Sequence, residues 1–424
     1  MLMKTEWAII SGIFLTYLNL LNTFQSGNSP IRLIRLSKKF VDMDISNRKV
    51  VIATHYFVYG APQALRDYLL QKKVSFLFIA HPLFVDQSRS YIEYFESGKT
   101  IKKRGFPIRP RIPFLNYAIE LVLTTYWVAT SKNNYDLFFG VDSLNAFAGL
   151  LLKRAGLVKK VVYYTIDYVP NRFNNGLLNT LYHNLDKFCL SYADETWNVS
   201  SKVAEGREKI RHLPSKKYDR QKVVPIGIWY KKNSILPIKK IKRHQLIFVG
   251  YLAKKQGVQT VLDAIPRIVE KIPDFHFRIV GGGEYEKDIK LKATKMDLNE
   301  YVTFYGWEKD RHRLEALMKD SAVSIALYNR KYDTFTRFAD PTKLKDYLSF
   351  GIPIILTDVP HNAYDIQKNK CGIVVRYNSK EIADAIIKLM TDEVLLEKYR
   401  KNASRYIRQY DWGIIFDRAL ESFL

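Results

Sequence analysis

The stretch that decides the fold reads Asp340-Pro341-Thr342-Lys343-Leu344-Lys345-Asp346-Tyr347-Leu348-Ser349-Phe350-Gly351-Ile352-Pro353-Ile354-Ile355. Asp340 is a good N-cap and Pro341 a good first helical residue, so a helix is predicted over Pro341–Gly351, with Ile352–Asp358 as the strand that follows. The N-terminus of such a helix carries free N–H groups and partial positive charge. Lys343 falls in the first turn and adds a full charge beside them, a natural seat for a diphosphate. Asp346 lies about one turn on, on nearly the same face, where it can accept hydrogen bonds from ribose hydroxyls. The plain alternative is an exposed ion pair between Lys343 and Asp346.

Outward from this stretch, short apolar runs alternate with amphipathic ones. HQLIFVG (His244–Gly250) reads as a strand, VQTVLDAIPRIVEKI as a helix, and FHFRIVGGGEYEKDIK as strand, glycine turn and helix. YVTFYGW, a helix from Arg311, AVSIALY and CGIVVRY continue the series, and Lys380–Leu424 reads as largely helical. The front half has the same grammar. KVVIAT (Lys49–Thr54), VSFLFIA, YDLFFGV, VKKVVYYTI, DETWNVS and KVVPIG are the strands, with helices at ALRDYLLQKK and LNAFAGLLLKRAG. HYFVYGAPQ reads as a loop. Strands alternating with helices predict α/β domains with doubly wound parallel sheets. Such sheets bind ligands beyond the carboxyl ends of their strands, so a cleft between the halves is expected.

Length agrees with two domains, since 424 residues exceed one ordinary core. The expected division is an apolar then basic N-terminal segment (1–43), a first Rossmann-like domain (44–227), a lysine-rich linker (228–243), a second domain (244–405) and a C-terminal helix (406–424). Hydrophobic residues at 47% and aromatics at 14% exclude disordered and low-complexity classes. Two cysteines, Cys189 and Cys371, build neither a disulfide framework nor a Cys-rich metal site. The net charge of +25 points to an anionic partner, and it is uneven. Residues 1–240 hold 36 basic against 17 acidic residues, a balance of +19, while residues 241–424 hold 31 against 25, a balance of +6.

Trp7–Phe24 carries no charge and is about the minimum length for a spanning helix. Arg32, Arg35, Lys38, Lys39, Arg48 and Lys49 follow. That order fits an anchor whose following domain is cytoplasmic, and equally a helix packed on the protein's own body. The expected location is cytoplasmic, peripheral or anchored at the inner face of the cell membrane.

Several motifs drop out. Asp42-Met43-Asp44 reads as a solvated turn, and no His-Glu-x-x-His or Walker-type loop occurs, so no metal is expected. Gly281-Gly282-Gly283 follows a strand and opens a helix. It either cradles phosphate or is a tight turn needing positive φ, and it lacks the later glycine of a dinucleotide site.

The Lys343–Ile355 stretch resembles the nucleotide-binding helix of the group 1 (family 4-like) glycosyltransferases: a lysine, two residues, an acidic residue, then Tyr-Leu-Ala-x-Gly-x-Pro-Val-Ile. LIFVGYLAKKQGVQTVLDA, FRIVGGGEYEKDIK, VTFYGW and VVPIGI resemble further segments of that family, in its order. The likeness runs from about Lys49 to Leu424 and is strongest in the second half. It implies the GT-B fold, two Rossmann-like domains facing across a cleft, and a UDP- or GDP-linked sugar as substrate, with no other cofactor. Carried over residue by residue, it implies donor contacts at Gly250, Gly282, Lys343 and Asp346. Lys254 or Lys255 replaces a phosphate contact, because Tyr251 and Gln256 stand where the family has Arg and Lys. Phe338 stands where the family often has a glutamate near the donor sugar, so an inverting route is the alternative to the family's usual retention.

An inverting transfer needs a carboxylate to take the acceptor's proton and positive charge to hold the leaving diphosphate. Asp167, at the carboxyl end of its strand, is the first candidate base, with a strand-end cap or salt bridge as the alternative. Asp142 is the second candidate, and His55 a third, against a satisfied loop histidine. Tyr305, Trp307 and Tyr328 are candidates to stack on the nucleobase, against plain core packing. KTIKKRGFPIRPRIPF (Lys99–Phe114) reads as a loop whose Lys102, Lys103, Arg104, Arg109 and Arg111 meet an anionic membrane surface or a lipid-linked acceptor. No nucleic-acid module is recognised, so no nucleic-acid partner is expected. The leading expectation is transfer of a sugar from a nucleotide diphosphate to a lipid-linked or membrane-proximal glycan. A nucleotide-sugar epimerase of the same fold and a non-catalytic membrane-surface protein are the alternatives.

Overall fold

In a computed structural model, the described residues are 45–423 apart from 57, 84–88, 107–112, 232–234 and 334. The uncharged Trp7–Phe24 segment and the basic run after it, up to Lys39, therefore lie outside the described residues, as do Arg109 and Arg111. Among the described residues no helix is long and apolar enough to cross a membrane.

The first domain is an eight-stranded sheet in the order β4-β3-β2-β1-β5-β6-β7-β8. Its strands are β1 (Lys49–Tyr56), β2 (Ser75–Pro82), β3 (Tyr91–Glu96), β4 (Lys99–Gly105), β5 (Tyr135–Val141), β6 (Val158–Thr165), β7 (Glu195–Asn198) and β8 (Gln221–Val223). Helices α1 (Ala61–Gln71), α2 (Pro113–Ala129), α3 (Ser143–Arg154), α4 (Gly176–Tyr192) and α5 (Ser201–Arg211) cover its faces. The central strands are nearly continuous apolar runs because they are buried on both faces. One expectation is corrected. The sheet is not wholly parallel, since β2, β3 and β4 pair antiparallel. The run from Lys99 is thus the outermost strand of a hairpin up to Gly105 rather than a loop, and every residue of that strand is exposed. Its alternation was hidden because an edge strand with two wet faces has no apolar side to reveal it.

The second domain is a parallel six-stranded sheet in the order β11-β10-β9-β12-β13-β14. Its strands are β9 (Lys242–Val249), β10 (His276–Val280), β11 (Val302–Gly306), β12 (Ser321–Ala326), β13 (Ile354–Leu356) and β14 (Gly372–Val374). The expected helix VQTVLDAIPRIVEKI is two short ones, α6 (Val258–Leu262) and α7 (Ile265–Val269), broken next to Pro266, which has no N–H to give. α8 (Glu286–Lys295), α9 (Arg311–Lys319), α10 (Thr342–Ser349), α11 (Ala363–Lys368), α12 (Ser379–Thr391) and α13 (Glu393–Ile407) follow. The last helix, α14 (Trp412–Leu420), returns to the first domain. Trp412, Ile415 and Phe416 join its core, and Tyr68 Oη donates to Asp417 at 2.6 Å.

Two contacts bring the domains together beside α10. Phe338 is buried in the first domain's core, edge-on to Tyr168 at 5.2 Å. Gly206 makes room for it, because a Cβ there would lie 2.7 Å from the Phe338 ring. Next to it, Ile226 N donates to Asp340 Oδ2 at 2.9 Å. Asp340 is therefore not the N-cap of α10, which is Pro341. Its carboxylate is buried against Lys345 and also accepts from Asn362 Nδ2 at 3.1 Å. A buried carboxylate takes full ion-pair and hydrogen-bond partners in preference to backbone amides that water can reach.

Candidate active site

The two sheets present their carboxyl ends to one cleft, and the sequence-derived residues fall into two banks there. The first bank stands on adjacent strands β1, β5 and β6. His55 is the penultimate residue of β1, Asp142 follows β5, and Asp167 follows β6. His55 Nδ1 is hydrogen-bonded to Asp142 Oδ2, and His55 Nε2 lies 2.9 Å from Glu120 Oε2 on α2. It is thus a strand-end histidine between two carboxylates, not a loop histidine. Burial opposes its charge, but the Asp142 and Glu120 carboxylates outweigh burial and push its pKa up to about 10. His81 of β2 sits beside it, ring centroids 5.8 Å apart. Burial and the neighbouring His55 push His81 down to about 3, so it stays neutral. Its nitrogens meet Ser90 Oγ at 2.9 Å and Thr124 Oγ1 at 2.8 Å.

Asp142 caps α3, accepting from Leu144 N at 3.0 Å and Asn145 N at 3.2 Å. Both of its oxygens are committed. Burial works against its carboxylate, but His55 and the α3 amides hold it below the ordinary carboxylate range. A carboxylate so stabilised is a weak base. Asp167 differs: the residue is exposed, no cap or histidine among the described residues holds its carboxylate down, and desolvation of the carboxyl raises its pKa against the pull of Arg172. Glu120 and His81 were not singled out from the sequence. Glu120 had a signal, being the one charged residue in PFLNYAIELVLTTYWVA. His81, at the apolar end of β2, had none.

The second bank is built on backbone. Gly281 has φ +141, and a Cβ there would lie 1.9 Å from Gly250 O. The glycine turn after β10 thus packs on the Gly250 turn after β9, which accounts for the tight-turn reading at Gly281 rather than at Gly282. Tyr347 of α10 locks the helix to that edge, its Oη accepting from Val249 N at 2.7 Å. Lys343 does not pair with Asp346. Its Nζ donates to Gln256 Oε1 at 2.5 Å and lies 4.6 Å from the Phe248 ring centre and 5.0 Å from that of Tyr328. Burial, and then the like charge of Lys255, push Lys343 down to about 7. Burial also lowers Lys255, whose Nζ lies 3.8 Å over the Phe335 ring. Lys254 lies over Tyr332 at 4.8 Å. Asp346 is held by Arg311 Nη2 at 3.2 Å, and burial raises its pKa.

Of the aromatic candidates, Trp307 is 54% exposed, so core packing does not describe it. Tyr305 is partly buried against the core beneath α10. Tyr328 is 3% exposed and packs in the core under Lys343, the core-packing alternative of the two. On the outer strand, Lys103 is tied to Glu93 Oε1 at 2.9 Å, whereas Lys102 and Arg104 have no carboxylate within 4.0 Å among the described residues.

Comparison with known proteins bears on the family and the fold. Residues 232–409 match the family described as glycosyl transferases group 1. A phosphatidyl-myo-inositol mannosyltransferase of Mycobacterium leprae is 25% identical over 180 residues, 42% of this chain and 46% of that one. The chain thus spans about half the length of this curated relative. Sucrose-phosphate synthase from Thermosynechococcus elongatus superposes over 89% of this chain and 98% of its own, at 15% identity and a TM-score of 0.66. Anabaena Alr3699/HepE, in complex with UDP-glucose, covers 89% of this chain and 99% of its own, at 15% identity and a TM-score of 0.64. The fold is GT-B.

Proposed function

We propose that this chain is a glycosyltransferase that moves a hexose from a UDP- or GDP-linked sugar to a lipid-linked or membrane-proximal glycan. The observation that carries the reading is the lysine pair at the start of α10. Lys343 and Lys255 repel each other and are desolvated; Asp333 acts on both and Glu284 on Lys255, but neither lysine has a carboxylate in ion-pair contact within 4.0 Å among the described residues. Two such cations at a helix N-terminus are left short of negative charge that a diphosphate supplies. The curated relative is a mannosyltransferase of a phosphoinositide, and a structural neighbour binds UDP-glucose.

In this reading the acceptor hydroxyl attacks the anomeric carbon and the bond to the diphosphate breaks. Lys343, Lys255 and the α10 amides take up the leaving charge. Asp167 takes the hydroxyl proton. It is the better base of the first bank because desolvation raises its pKa, whereas both oxygens of Asp142 are engaged and its pKa is lowered. Base catalysis from that wall gives inversion.

The acceptor side is read from β4 and α2. Tyr94 pairs with Lys102 and Ile92 with Arg104, so each pair shares one face of the sheet. Ile92 and Tyr94 pack with Leu123 and Trp127 of α2, so Lys102 and Arg104 are on α2's face. Val122 at 63% and Tyr126 at 59% exposure stand on the outside of that helix. Free cations beside apolar side chains suit an anionic bilayer.

The test is calorimetry with UDP, GDP, ADP and CMP on wild type and Lys343→Ala, followed by product analysis with the matching sugar nucleotide and lipid acceptors in anionic vesicles. One nucleoside diphosphate should bind, the variant should lose it, and the product should carry an inverted anomeric centre. Failure of every nucleotide to bind overturns the reading. Retention removes Asp167 as base. Sugar interconversion without transfer would make the chain an epimerase.

A further inference from the structure

We propose that Glu120 of α2 is a positioning residue of the site: it holds His55 as the doubly protonated imidazolium, which in turn pins the Asp142 carboxylate at the cleft wall. The consequence for rate rests on the transferase reading; the pairing does not.

The three groups form one chain. Two carboxylates and one imidazolium leave a net charge of −1. Side-chain exposure rises along it, from 6% at Glu120 through 11% at His55 to 30% at Asp142. Only the last member is substantially open to a ligand. Its backbone is unusual: φ is +72, a conformation strained for a residue with a Cβ. Asp142 N donates to Tyr164 O at 3.0 Å and Ala146 N to Asp142 O at 3.1 Å, which hold it there. Gly140, just before it, admits α3 so closely that a Cβ would lie 2.2 Å from Ala146 Cα. The chain turns sharply from β5 into α3 and projects Asp142 at the corner. Strain of this kind persists only where surrounding bonds over-determine it. Here they do, because Asp142 Oδ1 takes two α3 amides while Oδ2 takes His55 and, at 3.3 Å, Asn145 Nδ2.

Every charged or titratable neighbour of the imidazole fits one protonation state. Glu120 and Asp142 each face one ring nitrogen, and only the imidazolium can donate to both. His81, from β2, is neutral, and Tyr117 of α2 stands edge-on at 6.3 Å. Arg172, on the loop after β6, also favours the ionised Asp142. Since the folded His55 value lies above the ordinary 6.5, the ion pairs stabilise the fold fully below that value and lose effect as pH rises through about 10. Glu120→Gln keeps the shape and removes one carboxylate, so His55 should release its proton at lower pH.

Imidazole NMR titration of wild type, Glu120→Gln and Glu120→Asp tests this. In Glu120→Gln, His55 should titrate at least about one pH unit lower than in wild type, with Glu120→Asp between them. The alkaline limb of kcat should shift in step, kcat should fall about tenfold or more, and the donor KM should stay unchanged. An unmoved His55 titration in Glu120→Gln overturns the proposal. So does a moved titration with an unmoved pH–rate profile. Wild type that transfers no sugar while its His55 titration still shifts in Glu120→Gln supports the pairing and strikes the transferase reading instead.

Discussion

The two banks of the cleft solve opposite electrostatic problems. The first closes its charges on itself: Glu120, His55 and Asp142 satisfy one another, and Asp167, exposed, stands apart from them. The second leaves its charges open, with Lys343 leaning on a neutral glutamine and two aromatic faces. A wall that is complete without ligand positions; a wall that is short of counter-charge binds. In the proposed reading, the acceptor chemistry belongs to the first bank and the diphosphate to the second.

The sharpest break of that contrast is Asp167→Asn. Sugar transfer should fall by about two to four orders of magnitude while nucleotide affinity stays at the wild-type value, read by kinetics and calorimetry together. Equal loss of both would merge the banks into one. Phe338→Ala tests the joint between them. Emptying a buried phenylalanine should cost about 3–5 kcal/mol by denaturant unfolding, and less if the domains re-seat. An unchanged unfolding midpoint would mean the wedge does not hold the banks together.

Lys343→Ala should weaken nucleoside diphosphate binding by about a hundredfold, some 3 kcal/mol, and should leave the unliganded protein at least as stable, because a desolvated charge beside Lys255 is gone. Destabilisation would reveal a structural lysine. The pH dependence follows with its sign. Lys343 in the free protein titrates at about 7, and a bound diphosphate raises that value. Binding therefore takes up a proton above pH 7, and affinity should drop by up to about tenfold per pH unit there. Calorimetry in buffers of different ionisation enthalpy measures the uptake; none would place the proton elsewhere. The smallest effect concerns the basic outer strand. Replacing Lys102 and Arg104 by alanine should weaken binding to anionic vesicles by about 1 kcal/mol each, and added salt should mask it. Replacing Lys103, which Glu93 holds, should do less.

Much of this was legible before any coordinates. Strands β1, β5 and β6 are apolar runs, so their carboxyl ends could be read off, and His55, Asp142 and Asp167 all lie there. The position of Lys343 in the first turn of α10 was legible, but whether it pairs with Asp346 was not; it donates to Gln256 instead. Tyr328 stayed open between stacking and core packing because an aromatic after an apolar strand is surface or floor depending on what lies above it. Asp340 was misread because its capping propensity is local and its hydrogen bond from Ile226 N, in the other domain, is not. The hairpin at Tyr91–Gly105 escaped because both faces of its outer strand are wet.

What the sequence determined by itself is the periodic content: which runs are strands, where they end, that there are two sheets, and which helix offers positive charge. These follow from neighbours along the chain. What only the tertiary structure decided is pairing across it. Glu120 reaches His55 over 65 residues, α14 returns to Tyr68, and Phe338 fills the space above Gly206. The reason is physical. A buried charge or ring is settled by whichever partner the packing brings within about 3–5 Å, and that partner leaves no periodic trace in the sequence.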